Sequence, residues 1–148
     1  MSKRRLITTA VALCALGLPA AGASSFGVSL GLTNLSTTGS NATFGADLRV
    51  PLLLGITVQA VGEAGGGSFT GRAFTTFNTG PLYLGPGVFY RFPAASGAAA
   101  SYGAAVVAGI ELDLPILPAA FVEGFGEYDL TASGAHALGA RAGIRLRF

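Results

Sequence analysis

Apolar and polar residues alternate along most of this chain. From Phe26 to Thr33, for example, phenylalanine, valine and leucine take every second position, with glycine, serine or threonine between them. Successive side chains of a strand point to opposite faces, so this pattern predicts strands with one apolar and one polar face. We predict eight such strands, at Phe26–Leu35, Ala42–Pro51, Gly55–Glu63, Ser68–Asn78, Leu82–Phe92, Ala100–Asp113, Ala119–Asp129 and Ala137–Phe148.

Short segments rich in glycine, proline, serine or threonine separate these strands, as expected of turns. Most of the strands have about the 9–11 residues that a tilted strand needs to cross a bilayer. Pro86 interrupts the fifth strand, and because proline has no N–H for the ladder, we predict either a bulge or a misplaced strand there. The uncharged run from Phe92 to Ile110 is near the length of a membrane helix, but its larger residues alternate toward its end, which favours a strand.

The first 23 residues have the composition of an export signal. Lys3, Arg4 and Arg5 precede an apolar segment from Leu6 to Leu18, and the small residues Ala21–Ala23 follow. We therefore predict cleavage after Ala23, which leaves residues 24–148 as one mature domain. An uncleaved membrane anchor is the alternative, but the apolar segment is too short to span a bilayer.

The predicted mature chain is nearly neutral. Three of the nine Lys and Arg residues lie in the signal segment, which leaves six arginines against seven acidic residues. This balance argues against a nucleic-acid partner. The only cysteine, Cys14, also lies in the signal segment, so no disulfide or thiolate metal site is available. Without a metal-ligand cluster or phosphate-binding loop, we expect neither a metal nor another cofactor.

The charged residues of the strands share one face, on which the other residues are mostly glycine, serine and threonine. That face is too sparsely charged for a soluble exterior, and its balanced signs suit ion pairs in an enclosed lumen. Slipping a strand by one residue would exchange its faces, and an arginine facing lipid near mid-membrane costs roughly 2–4 kcal/mol. We therefore predict a lumen lined by twelve ion-pair candidates: Asp47, Arg49, Glu63, Arg72, Arg91, Glu111, Asp113, Glu123, Glu127, Arg141, Arg145 and Arg147.

Aromatic residues concentrate near the ends of the apolar faces, as in the two aromatic girdles of a membrane barrel. Nine of the fourteen follow this rule: Phe44, Phe69, Tyr90, Phe92, Tyr102 and Tyr128 toward one rim, and Phe26, Phe77 and Phe148 toward the other. Five do not: Phe74, Tyr83, Phe89, Phe121 and Phe125.

The segment Arg141-Ala142-Gly143-Ile144-Arg145-Leu146-Arg147-Phe148 resembles the C-terminal signature of bacterial outer-membrane barrels. The matching positions are Arg141, Gly143, Leu146 and Phe148. With the signal segment and the eight strands, the chain resembles small barrels of the outer-membrane protein A and X type. The resemblance implies an antiparallel up-and-down transmembrane barrel in the outer membrane, with outer-membrane lipid around it and insertion by the barrel-assembly machinery. We expect a monomer.

We expect a non-enzymatic protein with a structural or envelope-integrity role, because an eight-stranded barrel has a lumen that side chains can fill. A narrow pore for ions or small solutes is one alternative, since inward glycines could leave space. Another alternative is a soluble periplasmic lipocalin-like barrel that binds an apolar ligand. In that barrel the polar face would point outward to water and the apolar face inward. Small barrels include lipid A deacylases and acyltransferases, but the only histidine, His136, has no serine two residues away, and Ser133 is its nearest serine. We predict a rim or loop position for His136.

Overall fold

The computed structural model describes residues 23–35, 39–53, 55–93, 99–114, 118–131 and 134–148. Residues 1–22 of the predicted signal segment lie outside this range. Eight strands account for most of the described residues: β1 (Ser25–Thr33), β2 (Asn41–Pro51), β3 (Ile56–Gly65), β4 (Ser68–Thr79), β5 (Leu82–Pro93), β6 (Ser101–Leu112), β7 (Ala119–Asp129) and β8 (His136–Arg147).

The eight strands form a closed barrel in which every neighbouring pair is antiparallel, and every pair except β1–β8 is consecutive in the chain. The barrel closes where β1 pairs with β8, with Ser25 opposite Arg147 and Thr33 opposite Gly139. The predicted all-β, eight-stranded, antiparallel up-and-down barrel is thereby confirmed, and each strand boundary falls within two residues of its predicted position. No helix in the described part of the chain is long and apolar enough to cross a membrane.

The strand that contains Pro86 is correctly placed and has no bulge, so both predictions for this proline are wrong. The β4–β5 register is the same on either side of it, with Phe74 opposite Gly87 and Phe77 opposite Leu84. The two intervening positions of β4, Thr75 and Thr76, do not pair with β5. Proline has no N–H to donate, so pairing between β4 and β5 is interrupted here although no extra residue is inserted.

The turns lie at two ends of the barrel. We call the end where β1 starts and β8 finishes the near end; the other is the far end. The tightest far-end turn joins β3 to β4 through Gly66 and Gly67 alone, with φ of 58° and 74°. Two-residue hairpin turns of this type need positive φ at both positions, which glycine adopts without strain.

Burial alternates along every strand and separates two surfaces. In β2, Thr43, Asp47 and Arg49 are buried, whereas Phe44 and Leu48 between them are exposed. The described residues include thirty exposed large apolar side chains, while sixteen polar or charged residues are buried. The interior of this barrel is therefore polar and its outer wall is apolar, the reverse of an ordinary soluble domain.

Candidate functional site: the charged lumen

Arg145 lies at the centre of the lumen and is fully buried. Its Nε donates to Asp47 Oδ2 at 2.9 Å, and its Nη1 donates to Glu111 Oε2 at 2.8 Å and to the Tyr83 hydroxyl at 3.2 Å. Its Nη2 pairs with Glu123. One guanidinium on β8 thus joins side chains from β2, β5, β6 and β7 across the lumen.

Glu123 is the acceptor at the same centre. Its Oε1 accepts hydrogen bonds from Gln59 Nε2 at 2.8 Å, from the Tyr83 hydroxyl and from Arg145. Its Oε2 pairs with Arg141, which lies directly opposite on β8. A buried carboxylate is stable when its oxygens are saturated by donors, and Glu123 meets that condition with two cations and two neutral donors.

Toward the near end, Glu111 extends this group to the rim. It accepts from Arg49 Nη1 at 2.6 Å as well as from Arg145. Arg147 bridges Glu111, at 2.8 Å, and Asp113. The side chains of Arg147 and Asp113 are 45% and 66% exposed. This pair therefore lies at the rim, and the prediction that both residues line the lumen is wrong. We call the eight charged residues of this group the near cluster. They are Asp47, Arg49, Glu111, Asp113, Glu123, Arg141, Arg145 and Arg147.

A second group, the far cluster, consists of Glu63, Arg72, Arg91 and Glu127. Arg72 pairs with Glu63 and, through Nε at 2.6 Å, with Glu127. Arg91 pairs with the second oxygen of Glu127, and its side chain is 30% exposed. Each cluster contains equal numbers of arginines and acids, so each is neutral by itself.

All twelve predicted ion-pair candidates therefore form pairs, and every arginine of the strands has an acidic partner. Gln59 and Tyr83 join the near cluster although no charge pattern marked them. Asp129, absent from the predicted set, is also buried at the far end of β7 and accepts hydrogen bonds from the backbone N–H and the hydroxyl of Thr131.

The five aromatic residues that did not fit the girdle pattern all point into the lumen, and each lies directly opposite an inward glycine. The pairs are Phe74 with Gly87, Tyr83 with Gly109, Phe89 with Gly103, Phe121 with Gly143, and Phe125 with Gly139. An added Cβ would lie 2.1 Å from the Phe125 ring at Gly139 and 2.9 Å from the Phe121 ring at Gly143. These glycines make room for rings and do not thin the lumen.

Arginines lie over the faces of four of these five rings, namely Tyr83, Phe89, Phe121 and Phe125. The guanidinium carbon of Arg145 lies 3.7 Å from the centre of the Phe121 ring, and that of Arg72 lies 4.1 Å from the centre of Phe125. Arg49 lies 4.2 Å from the centre of Tyr83. A cation over an aromatic face is stabilised when both are removed from water. At these positions the glycine lies in the barrel wall, the aromatic ring packs against it, and the arginine lies over the inner face of the ring. Together these groups fill much of the lumen.

The filling differs between the two sides of the barrel. Val61, Phe74, Phe89, Ala105 and Val107, from β3 to β6, form a buried apolar cluster. β1 contributes only small inward side chains: Ser25, Gly27, Ser29, Gly31 and Thr33. The β3–β6 side of the lumen therefore holds an apolar cluster among buried polar residues such as Gln59, Arg72 and Thr76, whereas the β1 side carries only small side chains.

An open vestibule lies at each end of the filled region. The near-end vestibule has a volume of about 530 Å³ and includes Arg49, Tyr83 and Glu111 in its lining. The far-end vestibule, about 280 Å³, includes Glu63 and Arg91. Both therefore end against residues of the ion-pair clusters.

On the outer wall, the nine girdle aromatics are all exposed. Phe69 and Phe92 lie on neighbouring strands with ring centres 6.1 Å apart, and Tyr90 lies 4.5 Å from Phe92. His136 is the first residue of β8, exposed at the far end, with its ring 5.3 Å from that of Tyr128. This agrees with the predicted rim position of His136; Ser133, its nearest serine in the sequence, lies outside the described residues.

The four positions that match the assembly signature divide between the two surfaces. Arg141 and Gly143 face the lumen, where Arg141 pairs with Glu123 and Gly143 accommodates Phe121. Leu146 and Phe148 are exposed on the outer wall, at 58% and 72%. Their role in assembly stays a prediction.

Within the described residues, no group of three or more His, Cys, Asp or Glu side chains could hold a metal ion. No protein-family model matches the chain, and no curated protein matches it significantly. The fold and the lumen therefore carry the argument on function.

Proposed function

We propose that this protein is a small integral outer-membrane β-barrel with a structural role in the cell envelope, and that ion-paired side chains keep its lumen closed. One observation carries the proposal: the barrel is apolar outside and charged inside. A continuous exposed apolar surface marks contact with a membrane or a partner. A transmembrane barrel has this distribution of side chains, with lipid around the wall and polar groups in the lumen.

The spacing of the exposed aromatics supports the membrane setting. Phe69 and Phe77 lie on the outer face of β4, near its two ends, and are 49% and 50% exposed. Their separation of eight residues corresponds to about 26 Å along a strand. With the usual strand tilt, the height between them is about 20 Å, which is near the roughly 25 Å apolar band of outer-membrane barrels.

The packing of the lumen supports a structural role. The near and far clusters cross the barrel, and five aromatic rings fill the space beside them. An eight-stranded barrel has an interior that side chains alone can fill. Because a closed barrel has no free strand edge, we also propose a monomer. We assign no catalytic role, and outer-membrane lipid and the barrel-assembly machinery are the partners that we propose.

The test is to express the full chain in a Gram-negative host and to separate the periplasm, inner membrane and outer membrane. We expect the protein in the outer membrane, with an N-terminus at Ser24 and with faster gel migration before boiling than after. A protein that remains soluble in the periplasm would overturn the proposal and favour the lipocalin-like alternative.

The two vestibules favour one second candidate, a narrow pore for ions or small solutes. The purified barrel in a planar bilayer distinguishes the two functions. A structural barrel with a closed lumen gives no steady single-channel steps, whereas a pore gives reproducible steps that scale with salt concentration.

A further inference from the structure

The far-end vestibule has a polar lining. Besides the charged side chains of Glu63, Arg72 and Arg91, the described residues that line it are all glycine, serine, threonine or asparagine. Its volume of about 280 Å³ is slightly below the roughly 300–1,000 Å³ of pockets that hold drug-sized ligands. The vestibule therefore has room for a small polar molecule.

The hydrogen-bond acceptors of the far cluster are already occupied. Each oxygen of Glu63 accepts one hydrogen bond, the first from Thr43 and the second from Arg72. Each oxygen of Glu127 also accepts one, from Arg72 and from Arg91 respectively. A cation or a neutral donor in the vestibule would therefore find no unoccupied carboxylate oxygen in this cluster.

The hydrogen-bond donors of the same cluster are in surplus, because each guanidinium has five N–H groups. Arg72 donates through Nε and Nη1. Arg91 donates through Nη2 and, at 3.2 Å, through Nε to the Thr70 hydroxyl. Within the described residues, Arg72 Nη2 and Arg91 Nη1 therefore have no acceptor, and the Thr70 hydroxyl accepts a hydrogen bond but donates none.

These three unused donors lie together at the vestibule. Thr70 and Arg72 are consecutive inward residues of β4, and Arg91 lies directly opposite Thr70 on β5. The two guanidiniums bind the two oxygens of one carboxylate, Glu127, which holds them side by side. All three residues line the vestibule, although the side chain of Arg72 is only 2% exposed. A buried donor without an acceptor is costly, so a ligand that accepts hydrogen bonds would be stabilised here.

An oxyanion is the ligand that fits these donors. The oxygens of a phosphate group accept hydrogen bonds, and arginine binds such groups through charge-assisted hydrogen bonds. We propose that the far-end vestibule binds a small oxyanion of the phosphate type, held by Arg72, Arg91 and Thr70. The uncharged polar side chains of the lining suit hydroxyl groups on a molecule that carries the phosphate. Because Glu63 also lines the vestibule and repels an anion, we expect inorganic phosphate to bind weakly.

The experiment titrates inorganic phosphate into the folded, ¹⁵N-labelled barrel in nonionic detergent at constant ionic strength. The Nε–Hε signals of the arginine side chains are followed by NMR, and we expect saturable shifts at Arg72 and Arg91. Arg91→Gln should weaken phosphate binding by roughly ten- to a hundredfold, because it removes charge-assisted hydrogen bonds. Arg147→Gln, the matched control, removes the same charge at the near rim and should leave the affinity unchanged.

Thr70→Val gives a second, milder test, because it removes one hydroxyl and keeps both arginines. It should weaken binding by roughly two- to tenfold. Gel migration before and after boiling establishes that each variant is folded. Shifts that do not saturate in the unmodified protein, or equal losses of affinity in Arg91→Gln and Arg147→Gln, would overturn the proposal.

Glucose and glucose 6-phosphate distinguish two sources of the phosphate group. Tighter binding of the sugar phosphate than of inorganic phosphate would support a phosphate carried on a sugar, whereas equal affinities would support the free ion. Glucose that binds as tightly as glucose 6-phosphate would overturn the proposal, since the anionic group would then contribute nothing. These titrations concern the lumen of the folded barrel in detergent, so their failure leaves the outer-membrane proposal untouched.

Discussion

Arg145 and Glu123 form an ion pair at the centre of the barrel, and neither side chain is exposed to solvent. Three other donors share the Glu123 carboxylate, and two other acids share the Arg145 guanidinium. Breaking such a buried pair from one side leaves an uncompensated charge, which is more costly than the pair itself is stabilising.

We therefore predict that Glu123→Gln lowers the free energy of unfolding by about 3–5 kcal/mol, because Arg141 and Arg145 lose their shared carboxylate. Urea titration of the refolded barrel in detergent or lipid measures this change. Asp113→Asn is the matched control at the exposed rim, where a change of about 0–1 kcal/mol is expected. Similar effects from the two variants would show that burial does not determine the strength of these pairs.

The glycine opposite each inward ring gives a second prediction. Gly139→Ala should destabilise the barrel by about 1–3 kcal/mol, because the new methyl group overlaps the Phe125 ring. The cost should shrink when Phe125 is also replaced by alanine, since the overlap is then removed; a double-mutant cycle of unfolding free energies measures this coupling. Gly124→Ala, which faces outward into open space, serves as the control and should be nearly neutral. Additive effects of Gly139→Ala and Phe125→Ala would contradict the packing described.

The interruption of β4–β5 pairing at Pro86 gives a third prediction. Pro86 is outward and exposed, so Pro86→Ala restores a backbone N–H without disturbing the lumen. We expect the new amide to be protected from hydrogen exchange and the barrel to gain about 0.5–1.5 kcal/mol. Pro51→Ala, at the end of β2, is the comparison. Rapid exchange of the new amide at position 86 would mean that the missing donor is not the cause of the lapse.

A fourth prediction distinguishes a lipid-facing wall from a water-facing one. Val88 is 59% exposed and lies opposite Ala73, midway between Phe69 and Phe77. Val88→Arg should impair insertion and cost about 2–4 kcal/mol if the wall contacts lipid. Leu53→Arg, in the exposed near-end turn, should have little effect. The yield of heat-modifiable protein in the outer membrane measures both, and normal insertion of Val88→Arg would contradict the proposed membrane contact.

The strands and their inward faces could be predicted from the sequence because the period of two is imposed by local geometry. Alternation separates the two surfaces of each strand. The charges of Arg141 and Arg145 then indicate which of the two surfaces faces inward. The prediction was weakest where the pattern was mixed, at Pro86 and at Phe121 and Phe125.

The pairing of those inward residues depended on contacts that no local pattern encodes. Asp47 and Arg145 are 98 residues apart in the chain and meet only because β1 lies between their strands with Gly27 facing inward. Each inward ring likewise requires a glycine on a neighbouring strand, and the register brings the two together. Signals for these pairs existed in the sequence, as glycines and aromatics on polar faces, but their partners were not visible.

By itself, then, the sequence determined that this protein has eight two-faced strands, with charge on one face and apolar residues on the other. The tertiary structure confirmed that these faces close into a barrel, and it alone decided which acids each arginine meets and why five aromatics turn inward. The physical reason is that side-chain direction follows from the position of a residue along its own strand, whereas ion pairs and ring packing depend on the register between strands.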